Sequence, residues 1–412
     1  MASLRLRLGG ALAFALPIGA ALAQTSPDDE PVTLGTVEVT GSHIRRVEFE
    51  TSQPLLVLDR ADLLRTGLSN VGEILQQLPQ HVSDVNSDYN AEFNNGETRV
   101  DLRNLGANRT LVLLNGHRYV TSLDGAVDVG SIPLPIVARI EVLTDGASAI
   151  YGSDAIAGVV NIITRDSYEG IEASAYYASS EHGDGERRSA DITWGREGTR
   201  GGLSVNLSYA DQQPIWAGDR AISAVPTYGL PPNDAFAGAS VSTPDGLIAF
   251  GPLGDRLPDG EEGYLTWDSQ LSDYRLFDFR SDAYNYAPEN YLRIPYERTA
   301  LFAQGHYGVS DRLALRGTLL LHERISRKRE APTPIFQYGG GGDPNQYNIS
   351  PDSLYNAFGQ PVTFFAFRPL FQPRRFKEDV QTHYLSLDMD GTLQIGSRSL
   401  AWDINFTDAR TD

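Results

Sequence analysis

The chain has 412 residues, a formal net charge of −19 and no cysteine. That length leaves room for two or three domains, and the acidic balance repels phosphate backbones, which makes nucleic acid a poor partner. Without Cys there is no disulfide framework, no thiol catalysis and no Cys-ligated metal site, so stability must come from packing or from closure of a barrel.

Residues 1–23 read as a secretory signal peptide: Arg5 and Arg7 form the positive region, Leu8 to Leu16 the apolar core and Ala21-Leu22-Ala23 the cleavage site. Removing them takes the formal charge to −21 and starts the mature chain at Gln24. Downstream no run approaches the 18 or so consecutive apolar residues of a spanning helix, so an exported chain is either soluble or spans as a β-barrel. Gln24 to Pro31 has the composition of a disordered arm. Val32 to Val39 is short and β-prone, and composition alone leaves it either the first strand of the next domain or a strand awaiting a partner sheet.

Residues 49–165 are expected to form one compact α+β domain, with its pattern beginning at Pro54 and the apolar run Leu55 to Leu58. Asp59 caps a short helix that Gly67 ends, and Ser69 caps a second that Pro79 stops. Leu111 to Leu114, Asn115-Gly116 and Tyr119-Val120 read as a hairpin, because Asn-Gly tolerates the positive φ angles of a type I′ turn. Ser131 with Pro133 opens a brief helix, and Arg139 to Leu143 and Val159 to Thr164 are strands.

From residue 166 the texture becomes period-2 alternation, as in Leu203, Val205, Leu207 and Tyr209, or Leu313, Leu315, Gly317, Leu319 and Leu321. Seven strands are predicted: 169–180, 187–197, 200–212, 295–309, 312–327, 378–393 and 399–410. Their connections alternate. Gly198-Thr199, Ser310-Asp311 and Gly396-Ser397 are tight, whereas about 80 residues from Gln213 to Ile294 and about 50 from Lys328 to Lys377 are long. Outer-membrane barrels have short periplasmic turns and long external loops, and this pattern matches if the first strand runs outward. The longest connection exceeds ordinary loop lengths and has room for strands of its own.

The blocks Val100-Asp101-Leu102-Arg103-Asn104-Leu105-Gly106, Thr110 to Gly116, Asp128 to Leu134, Arg139 to Leu143 and Asp145 to Ile163 together resemble the plug of TonB-dependent outer-membrane receptors. The resemblance covers about 130 residues, with Asn104 standing where Gly is usual. It implies an α+β plug domain followed by antiparallel transmembrane β-barrel strands, located in the bacterial outer membrane. It also implies import of an external ligand of the siderophore, cobalamin, oligosaccharide or peptide class, with no covalent chemistry.

Under that resemblance the arm spans residues 24–48, and Gly35, Thr36, Val37, Glu38, Val39 and Thr40 look like the Ton box. That segment adds as a strand to the periplasmic domain of TonB by main-chain hydrogen bonds. Arg103 and Arg139 match plug arginines that pair with barrel-wall glutamates. Loops Val82 to Thr98 and Thr121 to Val127 would face the ligand, where Tyr89, Asn90, Phe93, Asn94 and Asn95 offer stacking and hydrogen-bonding groups. The implied partners are TonB, the ligand and outer-membrane lipid. A signalling receptor would place a further domain before the Ton box, where only Gln24 to Val32 stand.

No catalytic residues, metal site or cofactor are expected. Asp84-x-Asn86-x-Asp88 opens like a calcium loop, but Tyr89 replaces the turn Gly and Asn95 the final Glu. His-Glu-x-x-His and Gly-x-Ser-x-Gly are missing, and Gly339 to Gly342 has no phosphate-loop Lys. Residues 166–412 are expected to be the N-terminal part of a barrel: seven strands against about 22 in plugged transporters, ending at Arg410-Thr411-Asp412 without a terminal aromatic. A chain so composed is expected not to close a stable barrel alone.

Overall fold

The computed structural model describes residues 55–412 other than 67, 69, 82–95, 145–147, 227–237, 251–262, 339–348 and 355. The signal peptide, the arm with its Ton box, Gly67, Ser69 and the five ligand-facing residues from Tyr89 to Asn95 lie outside the described residues.

The first domain is a five-stranded mixed sheet flanked by short helices. It comprises β1 (Leu55–Asp59), α1 (Arg60–Arg65), α2 (Val71–Gln76), β2 (Thr110–Leu114), β3 (His117–Arg118), β4 (Val137–Leu143), α3 (Ser148–Tyr151) and β5 (Gly158–Thr164), with strand order β1-β4-β5-β2-β3. Only β2 and β5 pair in parallel. These two carry nearly unbroken apolar runs because both of their faces are covered, and β2 is buried throughout. Asp59 caps α1 as expected, in a reciprocal box with Asp62. At the β2–β3 turn Asn115 and Gly116 adopt φ 53° and 84°, the left-handed pair that a type I′ hairpin requires.

Two helix starts differ from expectation. The cap of α2 is Asn70, whose side chain accepts from the Gly72 N–H, and not Ser69. Ser131 and Pro133 do not open one helix. Instead Val129–Ser131 is a 3₁₀ turn capped by Asp128, and Leu134–Ile136 is a second turn begun by Pro133. The proline supplies no N–H and pushes Ile132 into extended backbone, so a continuous helix cannot cross the Ile132-Pro133 bond.

The second part is a seven-stranded antiparallel meander. In chain order it uses β6 (Gly170–Ala178), β7 (Arg187–Glu197) and β8 (Gly201–Gln212). The chain then passes through β9 (Ile215–Trp216), β10 (Leu247–Phe250), β11 (Leu265–Asp268), β12 (Asp273–Leu276), α4 (Phe279–Asp282) and β13 (Tyr291–Arg293). It returns as β14 (Tyr296–Ser310) and β15 (Leu313–Glu330), leaves again through β16 (Ile335–Tyr338) and β17 (Val362–Phe367), and ends with β18 (Arg374–Ile395) and β19 (Arg398–Thr411). The wall order is β6-β7-β8-β14-β15-β18-β19, each strand beside its expected neighbour. The sheet is not closed among the described residues, and β6 and β19 are its edges.

All seven expected strands are present, and two run further than their hydrophobic alternation shows. From His322 onward β15 is polar or charged on most positions, so the apolar signal fades. Its ladder with β18 nevertheless continues to Glu330 opposite Arg374. The long connections are more than loops: strands from both build a five-stranded sheet, β12-β11-β10-β17-β16, with β10 pairing β17 across the two connections. Leu247, Ala249, Phe364 and Ala366 form a small core there.

The wall's faces are inverted relative to a soluble sheet. Its concealed face carries Thr193, Ser204, Asn206, Gln304, Thr318 and Ser386, all buried, while Ile192, Leu207, Leu387, Ile404 and Phe406 on the other face are about half exposed. Apolar outside and polar inside is the distribution that lipid around a barrel selects. No helix among the described residues is long and apolar enough to cross a membrane, which says nothing against crossing by strands.

Candidate functional site

The region where chemistry can be transmitted is the seam between the first domain and the wall's inner face. An apolar contact lies at its middle, where Ala300, Phe302, Leu320 and Tyr384 of the wall join the first domain's core, and the Tyr119 and Tyr384 rings sit 5.3 Å apart. The Tyr119 hydroxyl lies 3.0 Å from Ser131 Oγ, and burial pushes its phenol up. Around this contact the seam is polar and ionic.

Neither of the two arginines expected to reach the wall meets a wall glutamate among the described contacts. Arg139 Nε lies 2.9 Å from Glu141 Oε1, two residues along the same face of β4. Glu141 is fully buried, so it takes this nearest cation together with the Asn161 amide at 3.2 Å. Arg103 stands in a left-handed turn with Asn104, at φ 60° and 56°, and donates to the Ile156 and Ala157 carbonyls at 2.7 and 3.3 Å. Both arginines thus hold the first domain together. Asn104 tolerates the left-handed backbone that makes Gly usual at this position.

Other residues carry the charges across. Fully buried Arg324 on β15 lies 3.4 Å (Nε) from Asp128 Oδ2 and 3.7 Å (Nη2) from Glu97 Oε1, with Glu378 of β18 at 3.5 Å from Nη1. The other Asp128 oxygen accepts from the Thr98 and Gly130 N–H groups at 2.9 and 3.0 Å. Burial works to raise the Asp128 pKa, but Arg324, Arg298 and the Thr98 N–H outweigh it and hold this carboxyl below the usual range. Arg298 on β14 donates from Nη2 to the Gly96 carbonyl at 3.0 Å. Its guanidinium also occupies the space beside Gly130, 2.8 Å from where a β-carbon would stand, so any larger residue there would have to displace it. Arg187 of β7 pairs with Glu73 of α2 at 2.9 Å.

Nearer the tight turns the signs reverse. His117 Nε2 of β3 lies 2.7 Å from Asp388 Oδ1 of β18. Arg60 and Arg165 meet Glu172 of β6 at 3.5 and 2.9 Å. Thr164, ending β5, hydrogen-bonds Gln304 of β14, whose amide donates to Asp166 at 3.1 Å. A cavity of about 60 Å³ separates the two parts, lined among others by Ser131, Asp191, Ser208, Arg298 and His322. Among the described residues no group of three or more His, Asp or Glu is placed to hold a metal ion.

Sequence reasoning missed Glu73, Glu97, Asp128, Arg187, Arg298, Arg324 and Asp388. A signal existed: Arg298 and Arg324 fall on the polar, inward-facing phase of strands whose other phase is apolar.

A small α+β domain is seated by ionic contacts against the polar face of an antiparallel sheet whose other face is apolar, the architecture of a plug against strands of a β-barrel. Residues 47–159 match the family model of the TonB-dependent receptor plug domain. Among solved structures the chain is similar to a variant of the ferric enterobactin receptor of Pseudomonas aeruginosa in complex with enterobactin. The identity is 12%, the TM-score 0.44, and the match covers 88% of this chain and 50% of that one. It is also similar to P. aeruginosa FpvA bound to a pyoverdine (14%, TM-score 0.42, covering 88% and 42%). A third is the ferric-catecholate import receptor Fiu of E. coli K12 (12%, TM-score 0.39, covering 88% and 50%). The chain spans about half the length of the first of these structures or less.

Proposed function

We propose that the protein works as a ligand-gated importer of the bacterial outer membrane, energised through TonB. The observation that carries this reading is the plug itself, matched over residues 47–159 and seated on the polar face of the wall through contacts that can be made and broken without covalent change. Residues 1–23 direct export, residues 24–48 form the periplasmic arm, 49–165 the plug and 166–412 barrel strands whose apolar face meets lipid. An external ligand of the siderophore, cobalamin, oligosaccharide or peptide class binds Tyr89, Asn90, Phe93, Asn94 and Asn95 together with external loops. Tension on Gly35 to Thr40, paired as an added strand with the TonB periplasmic domain, then displaces the plug.

The reading is tested with a synthetic peptide of residues 32–42 and purified TonB periplasmic domain. Binding is expected, and Val37→Pro, which removes a ladder donor, is expected to abolish it. In cells, uptake of a ferric siderophore, cyanocobalamin, a maltodextrin or an oligopeptide should be lost in the Val37→Pro variant while surface binding persists. A peptide carrying Val37→Pro that binds as well as the parent sinks the Ton-box assignment.

A further inference from the structure

The charges across the seam are sorted by height. On the β6–β7 side, Glu172 stands opposite Thr193, and Arg187 lies six residues further along β7, away from the tight turn. On the β15–β18 side, Asp388 stands opposite Arg316, and Arg324 lies eight residues further along β15, again away from the tight turn. At about 3.3 Å per residue these separations are about 20 and 26 Å. On both sides the wall contact nearer the tight turn is an acid and the one nearer the long connections is a base. The plug mirrors this order, with Arg60, His117 and Arg165 on the wall acids and Glu73, Glu97 and Asp128 on the wall bases. One contact runs against the pattern, Arg316 with Asp166 at 4.0 Å, but both groups are exposed and such pairs contribute little.

We propose that these two tiers form a charge-registered seat that fixes the plug's height in the wall and returns it after displacement. Sliding toward the tight turns takes Asp128 and Glu97 off Arg324 and the Gly96 carbonyl off Arg298, stripping the buried Arg324 guanidinium of its plug carboxylates, and moves those carboxylates toward the wall acids. Sliding the other way carries Arg60, His117 and Arg165 toward the wall arginines. Either direction replaces attraction by like-charge repulsion, so the seat is a well with two walls. This goes beyond import as such, because it concerns the plug's rest position whatever pulls on it or binds to it.

The absence of cysteine gives a clean reporter. In outer membranes of cells expressing the full chain, Thr164→Cys with Gln304→Cys, which join residues hydrogen-bonded across the seam, should cross-link readily under mild oxidation. Adding Arg324→Glu should lower the yield at least fivefold, and adding Asp128→Arg to that variant should bring it back to within twofold of the parent. Asp388→Arg, which reverses the other tier, should lower it at least twofold. A parent-level yield with Arg324→Glu or with Asp388→Arg overturns the proposal. So does a failure of the Arg324→Glu, Asp128→Arg exchange to restore it, since loss without charge rescue would mark a merely packed position.

Discussion

The plug and the wall bury opposite kinds of side chain. The plug hides Val112, Leu114, Ile140, Val160 and Ile162 and is an ordinary hydrophobic core, whereas the wall hides Thr193, Asn206, Gln304 and Thr318 and leaves Leu207 and Leu387 about half exposed. Both are made of alternating or unbroken apolar strands, so the difference comes from the solvent on each side. Under the proposed function the wall has lipid outside and the polar surface of the plug within, whereas the plug core is shielded by its own polar surface. Among the described residues the seam joins one apolar contact around Tyr119 and Tyr384 to surrounding ion pairs and hydrogen bonds.

That contrast can be broken at four points. The largest effect belongs to the plug core, where Ile162→Ala should cost about 2–5 kcal/mol by leaving a cavity in the central strand. Protease resistance of the plug in urea should show it as an earlier midpoint, with the wall unaffected. Leu207→Arg sharpens the other half, because a half-exposed leucine on a soluble sheet would accept arginine freely. On a lipid-facing strand it should cost about 2–4 kcal/mol, read as a lower urea midpoint in lipid vesicles. An unchanged midpoint would mean that this face does not meet lipid.

At the seam, Gly130→Ala forces a methyl against the Arg298 guanidinium and should cost about 1–3 kcal/mol, seen as faster cleavage of the plug by protease. The smallest effect is pH dependence. The Asp128 carboxyl is depressed, so its contribution is fully present above the unfolded value of 3.8 and is lost as pH falls through its lower folded value. Protease resistance of the seam should therefore hold down to about pH 4 and fall below it, and Asp128→Asn should remove that acid limb.

The hairpin at Asn115-Gly116, the cap at Asp59 and all seven wall strands are legible in the sequence because each rests on neighbours a few residues apart. In β15 the alternation fades after His322, so the expected end at 327 falls short of Glu330, where the ladder with β18 stops. The short turns around Pro133 look like a helix in sequence because Ser131 resembles a cap until the proline's missing N–H is counted.

By itself the sequence determined the plug, the seven wall strands, the alternation of tight and long connections, and the two-faced wall, since periodicity and turn chemistry are local. Only the tertiary structure decided which charges meet. Arg298 reaches a carbonyl 202 residues away, and the Thr164–Gln304 bond closes a separation of 140. A buried charge must take whichever partner folding brings within reach. That is why Arg139 stays with Glu141 on its own strand, and why Asp128, in sequence only one residue of a family block, becomes the junction between plug and wall.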